Sequence, residues 1–176
     1  KIFHGFGWPL GSSNYGGSFL YHMNNFQISI GLIVGLNYKN PWLSPFEEFQ
    51  KLKKHPKIEK LLINGKRIGY GARTITGGGL FSLPKIYFPG GALLGCDAGF
   101  LNPAKIKGTH TAIKSGIIVA KAAYLELKTK IDFSLKSYQE DFLSSSIYTE
   151  LTKAKNFKSF MNKGMFLGGT LFKAER

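Results

Sequence analysis

The groups best able to do chemistry lie between residues 90 and 116. The run Gly90-Gly91-Ala92-Leu93-Leu94-Gly95-Cys96-Asp97 leads from a short apolar strand into a loop, and Lys107-Gly108-Thr109-His110-Thr111-Ala112 opens a long helical pattern. A carboxylate placed after such a strand accepts hydrogen bonds from the hydroxyls of a sugar or ribityl chain. A glycine at a helix start lets the backbone approach a ligand, and the unpaired N–H groups there favour negative charge. Asp97 and Gly108 therefore suit a nucleotide-type cofactor. A second reading makes Asp97 a turn residue and Thr109 an N-cap, and spacing alone leaves both open.

The elements that must position these groups follow from periodicity. From Thr109 to about Lys128 apolar residues recur at helical spacing, with Ile113, Ile117, Ala120 and Tyr124 on one stripe beside Ala112, Gly116, Val119 and Ala123. Ile86–Phe88 and Ala92–Cys96 read as strands around the turn Pro89-Gly90-Gly91, and Lys66–Ile75 reads as another strand, followed by a break at Gly77-Gly78-Gly79. Lys136–Lys155 reads as further helix with Tyr138, Phe142 and Leu143 in the core.

Upstream, Gly5–Gly17 is a glycine-rich loop, and Ser18–Met23 and Phe26–Val34 are strand-like runs joined at Asn24-Asn25, a hairpin turn. On residues alone, Gly16-Gly17 is a turn before that hairpin. The second run is apolar almost throughout, which predicts burial on both faces. Ser44-Pro45-Phe46-Glu47 is a helix start with a capping serine, a first-turn proline and a glutamate three residues on. That helix carries Phe46, Phe49 and Leu52 on one side and is expected to stop near His55-Pro56. Strands then helices place the chain in an α/β or α+β class.

Composition narrows the function. Glycine makes up 22 of 176 residues, well above the usual level of roughly 7%, which points to tight turns and close backbone approaches. One cysteine, Cys96, can neither form an internal disulfide nor hold an iron–sulfur cluster. The net charge of +14 suits an acidic surface such as anionic lipid, or simply reflects solvated lysine-rich helices. The basic residues lack the aromatic interleaving of a single-strand groove, so nucleic acid is not the expected partner. No apolar run approaches the roughly 20 residues that span a bilayer.

Residues 95–116, Gly-Cys-Asp-Ala-Gly-Phe-Leu-Asn-Pro-Ala-Lys-Ile-Lys-Gly-Thr-His-Thr-Ala-Ile-Lys-Ser-Gly, resemble the second flavin motif of electron-transfer flavoprotein–ubiquinone oxidoreductases. Gly7-Trp8-Pro9-Leu10, Tyr15-Gly16-Gly17-Ser18-Phe19-Leu20-Tyr21-His22 and Tyr38-Lys39-Asn40-Pro41 fit the same family in order. So do Leu43–Phe49, Gly65-Lys66-Arg67-Ile68 and Tyr70-Gly71-Ala72-Arg73. The resemblance covers residues 5 to about 125 well and the remainder weakly. Geranylgeranyl reductases share the general Gly-Asp-Ala-Ala-Gly pattern without these blocks.

The resemblance implies electron flow from a soluble electron-transfer flavoprotein, through FAD and a 4Fe-4S cluster, to ubiquinone at a membrane surface. It implies that Tyr15, Gly16 and Gly17 form the quinone turn, with backbone N–H groups meeting the head group. Gly95 falls within the flavin motif, Asp97 lies against the ribityl and phosphate portion, and Asn102, Gly108, Thr109 and Thr111 face the ring. Lys105, Lys107 and His110 read as structural or electrostatic. The implied divisions are residues 1–84, the C-terminal part of an antiparallel-sheet quinone-binding domain; 85–130, a returning strand and helix of a Rossmann-like flavin domain; and 131–176, a helical, membrane-proximal segment.

Two parts of the family pattern are missing. There is no Gly-x-Gly-x-x-Gly loop for the pyrophosphate, and no cysteine-rich cluster domain. The expectation is therefore an interior fragment that holds neither FAD nor quinone tightly by itself. Near its end, Phe157, Phe160, Met161, Met165, Phe166, Leu167, Leu171 and Phe172 alternate with Lys153, Lys155, Lys158, Lys163, Lys173 and Arg176. That mixture suits a segment lying in an anionic lipid surface, or an amphipathic helix docked on another domain. The expected location is peripheral, on a bacterial cytoplasmic or mitochondrial inner membrane. The alternatives are a fragment of an isoprenoid-lipid reductase or a non-catalytic basic membrane-binding domain.

Overall fold

A computed structural model describes residues 1–129 and 134–175, apart from the Met165 side chain; the expected boundary at 130/131 and Arg176 lie outside the described residues. The chain forms two compact units, Lys1–Gly71 with Met161–Gly169, and Ala72–Phe160 with Thr170–Arg176. Mixed helices and small antiparallel sheets make it an α+β protein.

In the first unit, β1 (Ile2–Phe6), β2 (Gly16–His22) and β3 (Ile28–Val34) form an antiparallel sheet in that order. The β2–β3 hairpin forms as expected, but its turn is shifted by one residue. Asn25 and Phe26 both take positive φ (56°), and Gln27 N–H donates to Asn24 O at 3.3 Å. The central pair is thus Asn25-Phe26, with Phe26 fully exposed at the tip. β3 is only half-buried along its whole length, against the expectation of burial on both faces, because it is the outer strand of the three.

Helix α1 (Pro45–Lys53) starts where expected: Ser44 Oγ accepts from Glu47 N–H at 3.3 Å and Pro45 sits in the first turn. It ends before His55-Pro56, where α2 (Pro56–Leu62) begins, capped by His55 Nδ1 accepting from Lys57 N–H at 3.2 Å. Leu52 is buried while Phe46 is exposed, so the inward face of α1 runs through Glu48 and Leu52 rather than Phe46.

Residues 66–75, which run from the end of the first unit into the start of the second, form no strand, contrary to expectation. Gly69 and Gly71 have open space around them, and no neighbouring strand pairs with the segment among the described residues. After a 3-10 turn at Leu80–Ser82, β4 (Tyr87–Phe88) and β5 (Gly91–Ala92) form the expected hairpin, shorter than predicted, with Gly90 at φ 80°. Helix α3 (Thr109–Thr129) matches its predicted span. The larger apolar residues of its periodic pattern lie on the outer face. Thr111, Ser115, Ile118 and Ala122 face inward, whereas Ile113, Ile117 and Tyr124 are exposed. The helix docks through small side chains because the loop lies close: a Cβ on Gly95 would stand 3.2 Å from Ala112 Cβ.

The predicted Lys136–Lys155 helix is two helices, α4 (Lys136–Leu143) and α5 (Ser146–Lys153), broken where Ser145 caps α5. Tyr138 and Phe142 are buried as expected, and Leu143 is exposed. Phe142 stacks on Phe100 at 4.7 Å within a core that includes Ile86, Ala98, Ile118, Ile147 and Leu151. The Tyr138 hydroxyl donates to Leu93 O at 2.9 Å, and burial pushes its pKa up to about 12. Two further helices, α6 (Phe157–Met161) and α7 (Met165–Glu175), occupy the basic C-terminal stretch. No helix among the described residues is long and apolar enough to cross a membrane.

Candidate functional site

The glycine pair of the first unit stands at the start of β2. Gly17 lies opposite Phe6 in β1 and Ile33 in β3, so it is enclosed by backbone on both sides. A Cβ on Gly17 would meet Gly5 O at 2.6 Å, and one on Gly16 would meet Ile33 O at 2.3 Å and Leu10 Cδ1 at 2.4 Å. These glycines are therefore required by the sheet itself. The turn expected at this position is replaced by strand.

Register decides where the two amides point. Gly35 N–H donates to Tyr15 O at 2.7 Å, which makes Tyr15–Gly35 a hydrogen-bonded pair. Bonded and non-bonded pairs alternate along an antiparallel ladder, so Gly17 spends its amide on Ile33 and Gly16 turns its amide to the β1 side. There β1 has ended, at Phe6 opposite Gly17. Tyr15, just before the strand, is half-buried, and burial raises its phenol pKa.

In the second unit the strand-loop-helix forms, but its residues divide into two kinds. Asp97 and Thr109 are exposed. Asp97 makes no side-chain hydrogen bond or ion pair among the described residues. Gly108, not Thr109, supplies the first helical carbonyl, accepting from Ala112 N–H at 2.8 Å, so the amides of the first turn of α3 follow it unbonded by the helix. Gly95, at φ 62°, donates its N–H to Ser115 Oγ at 3.0 Å. A Cβ on Gly108 would stand 2.9 Å from Cys96 Sγ. Both glycines thus let the loop and the helix start close up on each other.

Asn102 and Thr111, by contrast, point inward, each only 1% exposed. Thr111 Oγ1 donates to Gly108 O at 2.8 Å. Asn102 Oδ1 accepts from Ala104 and Lys105 N–H at 3.0 and 3.1 Å, closing the loop, and its Nδ2 donates to Glu150 Oε1 at 2.7 Å.

Glu150, on α5, is the residue the sequence reading missed. Besides Asn102, it accepts from Lys105 Nζ at 3.2 Å and from His110 Nε2 at 2.9 Å. Burial raises its pKa, but the hydrogen bonds from His110, Asn102 and Lys105 and the charge of His110 outweigh that and bring it down to about 2. Its partners lie 40 to 48 residues away, so no local pattern announces it.

Residues 1–75 match a family model described as the ubiquinone-binding part of ETF-QO. The chain is 51% identical over 173 residues to the electron transfer flavoprotein-ubiquinone oxidoreductase of Pseudomonas aeruginosa, covering 97% of the chain and 31% of that protein. It is 48% identical over 177 residues to the mitochondrial protein of that name from Oryza sativa, covering 100% of the chain and 30% of the relative. Against the human mitochondrial protein, identity is 46% over 166 residues, 90% of the chain and 27% of the relative. The chain thus spans about three-tenths of the length of the curated relatives it matches.

Proposed function

Because the chain belongs to the electron-transfer flavoprotein–ubiquinone oxidoreductase family, we propose that it serves, within a protein of its relatives' length, to pass electrons from reduced electron-transfer flavoprotein to ubiquinone. The single observation that carries the reading is identity of 48 to 51% over 97% or more of the chain, taking in both candidate sites.

On this reading residues 1–84 belong to a quinone-binding domain, 85–130 to a Rossmann-like FAD domain, and 131–176 to a membrane-proximal segment on a bacterial cytoplasmic or mitochondrial inner membrane. FAD fits the residues present in that the exposed Asp97 carboxylate has no partner among the described residues and stands free to accept from a ligand. Asp97 would accept hydrogen bonds from ribityl or ribose hydroxyls, and the first amides of α3, after Gly108, would favour negative charge on the ring. When bound, FAD would supply the electron exchange between donor and quinone. Asn102 and Thr111 would act by shaping the loop, since their polar groups are already engaged inward. A 4Fe-4S cluster does not fit this chain: it has one cysteine, and no group of three or more candidate ligands occurs among the described residues.

For the quinone, the Gly16 amide is the candidate donor, because the Gly17 amide is committed to Ile33. Gly17 would contribute the absence of a side chain, and Tyr15 its hydroxyl or ring. The test is the full-length protein. Purified wild type should show flavin absorbance and reduce a water-soluble ubiquinone analogue when given reduced electron-transfer flavoprotein. Tyr15→Phe should slow quinone reduction and leave flavin content unchanged. A full-length protein without flavin would refute the reading.

A further inference from the structure

We propose that Glu150 is a positioning residue for the flavin: its carboxylate, reaching from α5 to Asn102, Lys105 and His110, fixes where the 102–110 loop and the first amides of α3 stand. The proposal rests on the FAD reading above and adds a residue outside the strand-loop-helix motif.

The geometry is specific. One carboxylate oxygen receives Asn102 Nδ2 and Lys105 Nζ, and the other receives His110 Nε2. Those donors sit at the beginning of the loop, at its middle and on the first turn of α3. Asn102 passes the constraint on, since its other side-chain atom holds the Ala104 and Lys105 amides and its own N–H donates to Lys107 O at 3.0 Å.

A second observation shows that this loop needs holding. Ile106 takes φ 53°, a left-handed conformation that a β-branched residue adopts only when its surroundings impose it. Gly95, upstream of this loop, donates its N–H to Ser115 Oγ in the second turn of α3. The first two turns of α3 are therefore tied at two places, and Glu150 supplies the tie that comes from another helix. Glu150 would touch neither flavin nor substrate; it acts through Asn102 and His110.

The experiment uses the full-length flavoprotein with Glu150→Gln and Glu150→Ala. Glu150→Gln keeps an acceptor for Asn102 and loses the one facing His110. Both variants should release FAD faster, by about tenfold for Gln and about a hundredfold for Ala, the scale of effect that a misplaced site produces. The flavin midpoint potential should move negative, because displaced amides stabilise the reduced ring less. Independently of flavin chemistry, hydrogen exchange at the Ala104 and Lys105 amides should accelerate.

A lower melting temperature with unchanged FAD release and potential overturns the proposal, since Glu150 would then be structural only. Where the alanine variant fails to fold, the glutamine variant decides by the same readouts. A wild-type protein lacking flavin overturns the FAD reading and this proposal together; a flavin-loaded wild type with indifferent variants overturns this proposal alone.

Discussion

The two candidate sites use glycine for different reasons. In the first unit Gly16 and Gly17 are part of a three-stranded sheet, and neighbouring backbone stands where their side chains would be. Their identity is explained without any ligand. In the second unit Gly95 and Gly108 bring a loop and a helix start together, and beside them stands Asp97, an exposed carboxylate with no structural partner among the described residues. A glycine is weak evidence of binding where packing already demands it. The Asp97 carboxylate, which no side chain engages among the described residues, is free to meet a ligand, and the fold does not by itself account for it.

Breaking the first site should therefore break the fold before it reveals the chemistry. Gly17→Val places a branched side chain 2.6 Å from Gly5 O at its first atom, inside the β1–β2 ladder, and should destabilise by about 3 kcal/mol or more. Urea unfolding of the full-length protein checks it. A valine variant of wild-type stability would mean that β1 stands farther from β2 than described. In the second unit the corresponding structural residue is Asn102, not a glycine. Asn102→Leu removes the bond to Glu150 and strands the Ala104 and Lys105 amides, and should cost about 2 kcal/mol. Its thermal midpoint is the measurement, and a neutral result would remove Asn102 from the clamp.

Much of this contrast was legible beforehand, and its limits have physical causes. Ser44 and Pro45 announced α1 because capping is local, and the Asn24-Asn25 turn was found to within one residue because positive φ is a local demand. The α3 span was legible, but its inward face was not. Ile113, Ile117 and Tyr124 form the larger apolar stripe, while the loop selects the small residues opposite. Lys66–Ile75 carried strand-forming residues yet pairs with no strand among the described residues, since pairing depends on a partner that propensity cannot see. Asn102 and Thr111 were picked out as functional by motif, and only the fold shows their polar atoms turned inward. Glu150 was invisible because its three donors converge on it in space alone.

The clamp has a pH signature that sharpens the comparison further. Glu150 titrates at about 2 in the folded protein against an ordinary 4.5. A lowered carboxyl pKa stabilises the fold above about pH 4.5, and that stabilisation is lost as pH falls toward about 2. The stability difference between wild type and Glu150→Gln should therefore narrow through that window, as followed by unfolding at fixed ionic strength. A difference that stays constant from pH 5 to the acid limit of folding would show that the bonds to His110, Asn102 and Lys105 do not hold the carboxylate ionised.

The smallest expected effect on stability is the most informative about function. Asp97 is exposed, and Asp97→Ala should change unfolding free energy by no more than about 0.5 kcal/mol, as surface substitutions do. Yet the same change should weaken FAD retention in the full-length protein by about tenfold, the worth of a charge-assisted hydrogen bond to a ligand hydroxyl. The two measurements must separate for Asp97 to be a binding residue. If stability falls and retention does not, the carboxylate is a turn residue, and the second unit loses the feature that distinguishes it from the glycine pair of the first.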